Sequence, residues 1–458
     1  MRILRRTTFL FLIAAALLCH GQAATATAAG NWSGAVSLGP QKLRIIFHLK
    51  ADAGGKLTAT LDSPDQGANG LPTSGVTQDG NTVKISISNL AASYEGVLSE
   101  DGKELKGKFR QAGMELPLAL SRMSDAELEA SKPKRPQIPA KPYPYDEREL
   151  TAANKTANGV TLACTLTVPR GEGPFPAVLA ITGSGPHDRN EEVASHPVFL
   201  VLADQLTRKG IAVLRCDDRG VGKSTGDFKA ATTADFATDV EAEFDVLKTQ
   251  SKVDPKRCGL IGHSEGGVIA PMVAARRPDV GFIVLLSGPG ATGKQVIISQ
   301  KEAILKAAGV SKPDMSPDLA MYDAILAGKD EAAVAAAAEG VFPPAAPETM
   351  KLQQIRQLMS PWFRYFLAYD PAPTLAKVKQ PVLALFGEKD LQVLPAINEP
   401  PIRAALKDNK QAKIETIPGA NHLFQIAKTG APAEYPNIEE TISPKALNVV
   451  SDWILALK

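Results

Sequence analysis

Leu260-Ile-Gly-His-Ser-Glu-Gly-Gly-Val-Ile-Ala270 sets one serine, Ser264, between a histidine and a glutamate in otherwise apolar, glycine-rich sequence. A β-type run, Gly259 to Ile261, leads into it, and a helical pattern, Val268 to Arg276, leads out. Strand, tight turn and helix in that order make an elbow. Gly262 and Gly266 flank the serine where larger side chains would strike the backbone, and the hydroxyl is lifted clear. The pentapeptide alone is common; with this strand and this helix it becomes specific. Neighbours in so sharp a turn project in different directions, so His263 and Glu265 are poor partners for the Ser264 hydroxyl. What Glu265 offers is its backbone N–H, a donor for a developing oxyanion.

A serine hydroxyl needs a base, and a histidine is the usual one. The chain has six histidines. His20 lies in the N-terminal apolar segment, His48 in an alternating β-type region, and His187 and His196 in a loop well before the elbow. His263 is excluded by the turn. His422 remains, in Ile417-Pro-Gly-Ala-Asn-His-Leu-Phe424, after the strand-like Lys413-Ile-Glu-Thr-Ile417 and before a terminal helix. The base needs a carboxylate to hold its tautomer. Asp390, in Gly387-Glu-Lys-Asp390 at the end of the apolar run 381–386, is the choice, with Glu388 as fallback. A second oxyanion donor is expected from Gly183-Ser-Gly-Pro-His-Asp-Arg189, and Ser184 is the choice there. The order Ser264, Asp390, His422 differs from the chymotrypsin and subtilisin orders and is that of the α/β-hydrolases.

Around the elbow, apolar runs at 176–182, 211–216, 258–262, 282–287 and 381–387 alternate with helical patterns, which predicts a mostly parallel sheet covered on both faces. An alanine-rich helical stretch, about 294–375, interrupts them as a candidate cap. Residues 30–123 alternate apolar and polar in short runs separated by turns such as Asp79-Gly-Asn81, predicting a small all-β antiparallel barrel or sandwich. Residues 124–146 read as a linker, since Lys132-Pro-Lys-Arg-Pro-Gln-Ile-Pro-Ala-Lys-Pro-Tyr-Pro144 cannot hold a helix. The remainder, 147–458, is the expected α/β domain.

At the start, Arg2, Arg5 and Arg6 precede the apolar run Phe9 to Leu18, and small residues follow. Residues 1–29 therefore read as a secretory signal peptide, and the protein as exported, periplasmic or secreted. The run is shorter than the roughly 20 residues of a membrane span, so no stable span is expected after its removal. Leu18 before Cys19 argues against lipid attachment. Cys164, Cys216 and Cys258 each lie in or beside an apolar segment; buried thiols are expected, with at most one bridge. With 458 residues, 22% charged and a net charge of +2, two domains are expected and nucleic acid is not a natural partner.

The chain resembles the α/β-hydrolase superfamily and, within it, exported bacterial esterases grouped with the serine aminopeptidase-like hydrolases. The likeness runs over about 147–458 and rests on residues 183–189, Asp217-Asp-Arg-Gly-Val-Gly-Lys-Ser224, Gly262 to Gly267 and Asn421-His-Leu-Phe-Gln425. Residues 30–123 look like the small barrel that precedes some members. The resemblance implies catalytic roles for Ser264, Asp390 and His422 and a carboxylic ester with a short acyl group as a small-molecule substrate. Thr182-Gly183 replaces the His-Gly spelling common in the superfamily. Neither a cofactor nor a metal is expected. A serine aminopeptidase or dipeptidase is the alternative, with Glu191 or Glu192 holding the substrate ammonium; a non-catalytic envelope binding protein is a third reading. Gly288-Pro-Gly-Ala-Thr-Gly-Lys294 nearly spells a phosphate loop, but Gln295 stands where a Ser or Thr would hold magnesium. His187, Asp188, Glu191, Glu192 and His196 are metal-ligand types without a metal-site spacing.

Overall fold

The computed structural model describes residues 27–457 apart from 39–40, 67, 112, 158 and 344–345. The expected leader at 1–29 lies outside the described residues except for its last three. Nine strands come first: β1 (Gly30–Leu38), β2 (Gln41–Ala51), β3 (Leu57–Ser63), β4 (Ala68–Pro72), β5 (Gly75–Asp79), β6 (Thr82–Ile87), β7 (Ala92–Leu98), β8 (Glu104–Gln111) and β9 (Met114–Met123). They pair in the order β4-β3-β2-β1-β9-β8-β7-β6-β5. Chain neighbours are thus sheet neighbours, β9 returns to β1, and among the described residues only the seam between β4 and β5 lacks a ladder. The two residues crossing that seam still stitch it: Thr73 N–H donates to Ala59 O and Ser74 N–H to Ser86 O. The result is a curled, nearly closed up-and-down sheet. Alternation drives it, as in β6, where Val83, Ile85 and Ile87 turn into the core with Trp32, Phe47 and Tyr94, and Lys84 faces water.

The linker differs from its sequence reading at its start. Ser124 caps a short helix, α1 (Asp125–Ser131), in a reciprocal capping box with Glu127. The proline-rich run after it is extended and held down. Arg135 donates to the carbonyls of Ser195, Pro436 and Ile438, and Gln137 accepts from Thr441 N and donates to Ile442 O.

Beyond it, β10 (Asp146–Ala153), β11 (Thr161–Val168), β12 (Phe175–Ile181), a two-residue hairpin β13 (Glu192–Val193) and β14 (His196–Pro197), β15 (Ala212–Cys216), β16 (Val253–His263), β17 (Phe282–Leu286), β18 (Val382–Gly387) and β19 (Ala412–Ile417) follow. The eight-stranded sheet has the order β10-β11-β15-β12-β16-β17-β18-β19. β11 runs antiparallel to both its neighbours, β10 and β15, and the remaining pairs are parallel. One face packs on α3 (Thr233–Lys248), α4 (Gly266–Arg276) and α11 (Pro395–Ala405), the other on α2 (Val198–Arg208) and α12 (Pro444–Ala456). This is the α/β-hydrolase fold. Between β17 and β18 stand α5 (Gly293–Ala307), α6 (Ser316–Leu326), α7 (Glu331–Ala337), α8 (Glu348–Leu358), α9 (Pro361–Ala368) and α10 (Ala372–Leu375), with a small core of their own around Met321, Ile325, Val334 and Phe363.

The cysteine expectation needs correction. Cys164 on β11 lies directly opposite Cys216 on β15, and the two are joined in a disulfide. Sequence placed each cysteine in or beside an apolar, strand-like segment, but no register was available to pair β11 with β15. Cys258 is a free, buried thiol, pushed up to about 12 by burial.

Candidate active site

Ser264 sits where β16 ends and α4 begins, with φ at 52°. A left-handed backbone costs a serine of order 1 kcal/mol or more and persists only where the surroundings impose it. Here they do: a Cβ on Gly262 would lie 1.9 Å from Gly266 O, and one on Gly266 2.2 Å from Ile181 O. Ser264 N–H is tied to Leu286 O on the next strand.

His422 follows β19 in a buried turn, its Nδ1 2.8 Å from Asp390 Oδ2. Asp390 Oδ1 accepts the N–H groups of Gln392 and Val393, so the carboxylate is aimed by its own loop. Glu388, the fallback, is exposed and accepts from Gly419 N instead. With Nδ1 on the carboxylate, His422 carries its proton there, and Nε2 has no partner among the described residues. Ser264 and His422 line one cavity of about 300 Å³ together with Ser184 and Glu265. Cap residues Val296, Ile297, Trp362 and Phe366 give it an apolar wall.

The oxyanion candidates separate by what their neighbours do. Gly183 N–H is taken by Glu191 Oε1 at 2.6 Å, whereas the N–H groups of Ser184 and Glu265 make no hydrogen bond among the described residues. Ser184 O is held by His187 Nε2 at 3.0 Å. The Glu265 carboxylate, for which sequence offered no partner, accepts from Thr233 Oγ1 at 2.6 Å and Trp362 Nε1 at 2.8 Å. Burial raises its pKa against these hydrogen bonds.

Below the oxyanion loop lies a second, small cavity of about 40 Å³ lined by Asp218, Asp239, Glu243 and Glu265. Burial pushes Asp218 up to about 8 and Glu243 well above its usual range. Asp218 accepts from His187 N and Thr182 Oγ1 and so shapes the loop that carries Ser184. In the Asp217 to Ser224 stretch, Arg189 clasps Asp217 and Arg219 pairs with Asp239; both pairs are structural ties. Thr292 caps α5 with Gln295, and Lys294 turns to Asp323, so the near phosphate loop is a helix start.

The metal-type residues disperse. His196 is buried against Thr441 Oγ1 and Tyr435 O, Asp188 holds Asn190, and Glu192 is exposed. Glu191 turns to His263, an interaction that sequence reasoning missed because nothing local marks it. Trp362 was missed as well.

A serine at a strained elbow, a histidine backed by a buried aspartate and two N–H groups without partners among the described residues thus meet at the ends of an eight-stranded α/β sheet. The chain belongs to the serine aminopeptidase S33 family, whose profile matches residues 195–426. Esterase EstD of Thermotoga maritima is 24% identical over 319 residues, covering 69% of this chain and 68% of that one. An esterase of Pyrococcus furiosus aligns over 71% of this chain and 98% of its own with 13% identity and a TM-score of 0.43. A proline iminopeptidase of Mycobacterium smegmatis aligns over 67% and 98% with 16% identity and a TM-score of 0.42.

Proposed function

We propose that the protein hydrolyses carboxylic esters with short acyl groups through an acyl-enzyme on Ser264. Ser264 Oγ attacks the ester carbonyl carbon while His422 Nε2 takes its proton; the oxyanion settles between the N–H groups of Ser184 and Glu265. His422 then hands the proton to the departing alcohol. Water, deprotonated in turn by His422, releases the acid and restores the serine. Asp390 keeps the imidazole in the tautomer that leaves Nε2 free and stabilises the imidazolium that forms.

The observation that carries the ester reading over the aminopeptidase one is the state of the cavity's two carboxylates. Glu265 is engaged by Thr233 and Trp362, and Glu191 by Gly183 and His263. Glu191 Oε2 has no hydrogen bond among the described residues, but the charge of Glu191 is already paired with His263, and burial disfavours the charged form of Glu265. Neither carboxylate therefore offers an uncompensated charge to a substrate ammonium, which would need one when desolvated. A cavity of about 300 Å³ with an apolar cap wall suits a small, uncharged ester. Export to an oxidising compartment is part of the proposal and is supported by the Cys164–Cys216 disulfide.

The test compares wild type with Ser264→Ala on a short-chain nitrophenyl ester and an aminoacyl nitroanilide. Ester turnover that falls by about 10⁶ in the variant is expected. Cleavage of the anilide alone would hand the site to the peptidase reading, and turnover indifferent to Ser264→Ala would end the serine mechanism.

A further inference from the structure

We propose that Glu191 and His263 form a charged brace that positions the reaction centre, one buried pair tying together the oxyanion loop, the nucleophile strand and the loop of the base. This rests on the serine hydrolase reading above. Glu191 and His263 do not act on substrate; they act through the groups they hold.

The geometry is specific. His263 Nδ1 lies 2.9 Å from Glu191 Oε1, and His263 Nε2 lies 3.0 Å from the carbonyl oxygen of His422. Both neighbours are acceptors, so both ring nitrogens carry protons and the ring is an imidazolium. The same Glu191 oxygen accepts the N–H of Gly183 at 2.6 Å. Glu191 is 1% exposed and His263 4%. A lone charge so placed would cost several kcal/mol, and each of these two exists only through the other. Burial opposes both charged forms, yet the pair prevails: the charge and hydrogen bond of His263 hold Glu191 below its usual range, and Glu191 holds His263 above its own.

Three consequences follow at the reacting atoms. Gly183 N–H is captured, which leaves the next donor along the loop, Ser184 N–H, to meet the oxyanion. The residue before Ser264 is anchored by its side chain. His422 is clamped twice, by Asp390 at its ring and by His263 at its carbonyl. Glu191 is itself held in a left-handed conformation, φ 47°, and its second oxygen is buried without a partner. Strain and an orphaned acceptor at one residue are what a site accepts for position rather than for stability.

The experiment measures ester turnover in Glu191→Gln, His263→Gln and the double variant, with active sites counted by a fluorophosphonate that labels Ser264. A displacement near 1 Å costs about 100-fold, so kcat per labelled site is expected to fall about 10- to 100-fold with KM within about twofold. The double variant is expected to lose no more than the worse single one, because the pair acts as a unit. A merely structural role lowers the number of labelled sites and leaves kcat per site unchanged, which overturns the brace; additive losses overturn it too. If Glu191→Gln does not fold, His263→Gln decides alone by the same readout. A wild type that hydrolyses no ester and takes no label overturns the esterase reading and the brace with it.

Discussion

In the antiparallel sheet His48 stands 2.8 Å from Asp62, and in the α/β part His422 stands 2.8 Å from Asp390. The same two groups meet at the same distance, and only one pair is placed for chemistry. His48 has its other nitrogen on Asn31 Oδ1 at 2.8 Å; the ring staples β1, β2 and β3 together and keeps no nitrogen for a proton from elsewhere. His263, with Glu191 on one side and a carbonyl on the other, is spent in the same way. His422 alone among these three keeps a nitrogen without a protein partner and shares a cavity with a serine. A carboxylate beside a histidine therefore says little by itself; the unoccupied nitrogen says more.

The sharpest way to break that contrast is to remove the base. His422→Gln is expected to lower kcat for an ester by about 10⁶, as measured by steady-state kinetics on protein whose fold is checked by circular dichroism. Asp390→Asn comes next, with a loss near 10⁴ and little change in melting temperature, since the geometry survives and the tautomer does not. A loss under tenfold would mean that the Asp390 contact is as structural as that of Asp62.

The two regions also differ in covalent support. All cysteines after Cys19 lie in the α/β part, and the Cys164–Cys216 bridge closes a loop of 52 residues. Chain-entropy reasoning assigns such a bridge about 4 kcal/mol. Cys164→Ala with Cys216→Ala is expected to shift the guanidinium midpoint of the α/β part and leave that of the β1–β9 sheet, which contains Trp32, in place. If both transitions move together, the linker contacts of Arg135 and Gln137 have fused the two into one cooperative unit.

How much of this was legible depends on whether a residue's partner was local. The five central strands are apolar on both faces and announce themselves as runs. Ser264 is marked by its glycines, and His422 and Asp390 by their places after strands, so counting six histidines was enough to single out a base. β10 escaped because an edge strand such as Asp146-Glu-Arg-Glu-Leu150 is polar and alternating, and the register that sets Cys164 against Cys216 joins distant segments that no local pattern pairs. Glu191 escaped for a different reason. It lies 72 residues from His263, in a loop whose charged residues looked like any solvated rim, and only the left-handed turn at Glu191 sends its side chain inward.

His196 gives a smaller and graded effect. It is buried in the α/β part, and burial pulls its pKa from 6.5 down to about 4. The folded state thus refuses a proton that the unfolded chain takes up near 6.5. Its contribution to stability is complete above that pH and drains away as pH falls toward 4, at up to ~1.4 kcal/mol per pH unit. Urea unfolding of wild type and His196→Gln at several pH values reads this directly: the wild-type stability should fall more steeply between pH 6.5 and 4. Parallel curves would show that the ring is already charged in the fold.

The smallest expected effect is the one that tests the opening contrast from its other side. His48→Gln keeps a side chain able to meet Asn31 or Asp62 but removes the ring. Both partners of that pair are about one-fifth exposed in their side chains, and such pairs contribute at most about 1 kcal/mol. The variant is expected to unfold slightly earlier and to hydrolyse ester with kcat and KM within about twofold of wild type, because the ring has no free nitrogen and lies outside the Ser264 cavity. A tenfold fall in kcat at unchanged stability would mean something else. The route it would implicate starts in the same sheet, where Asn69 donates to Ser195, and runs through the hairpin that begins beside Glu191 to the brace behind Ser264. The β1–β9 sheet would then be part of the catalytic support rather than an attached domain.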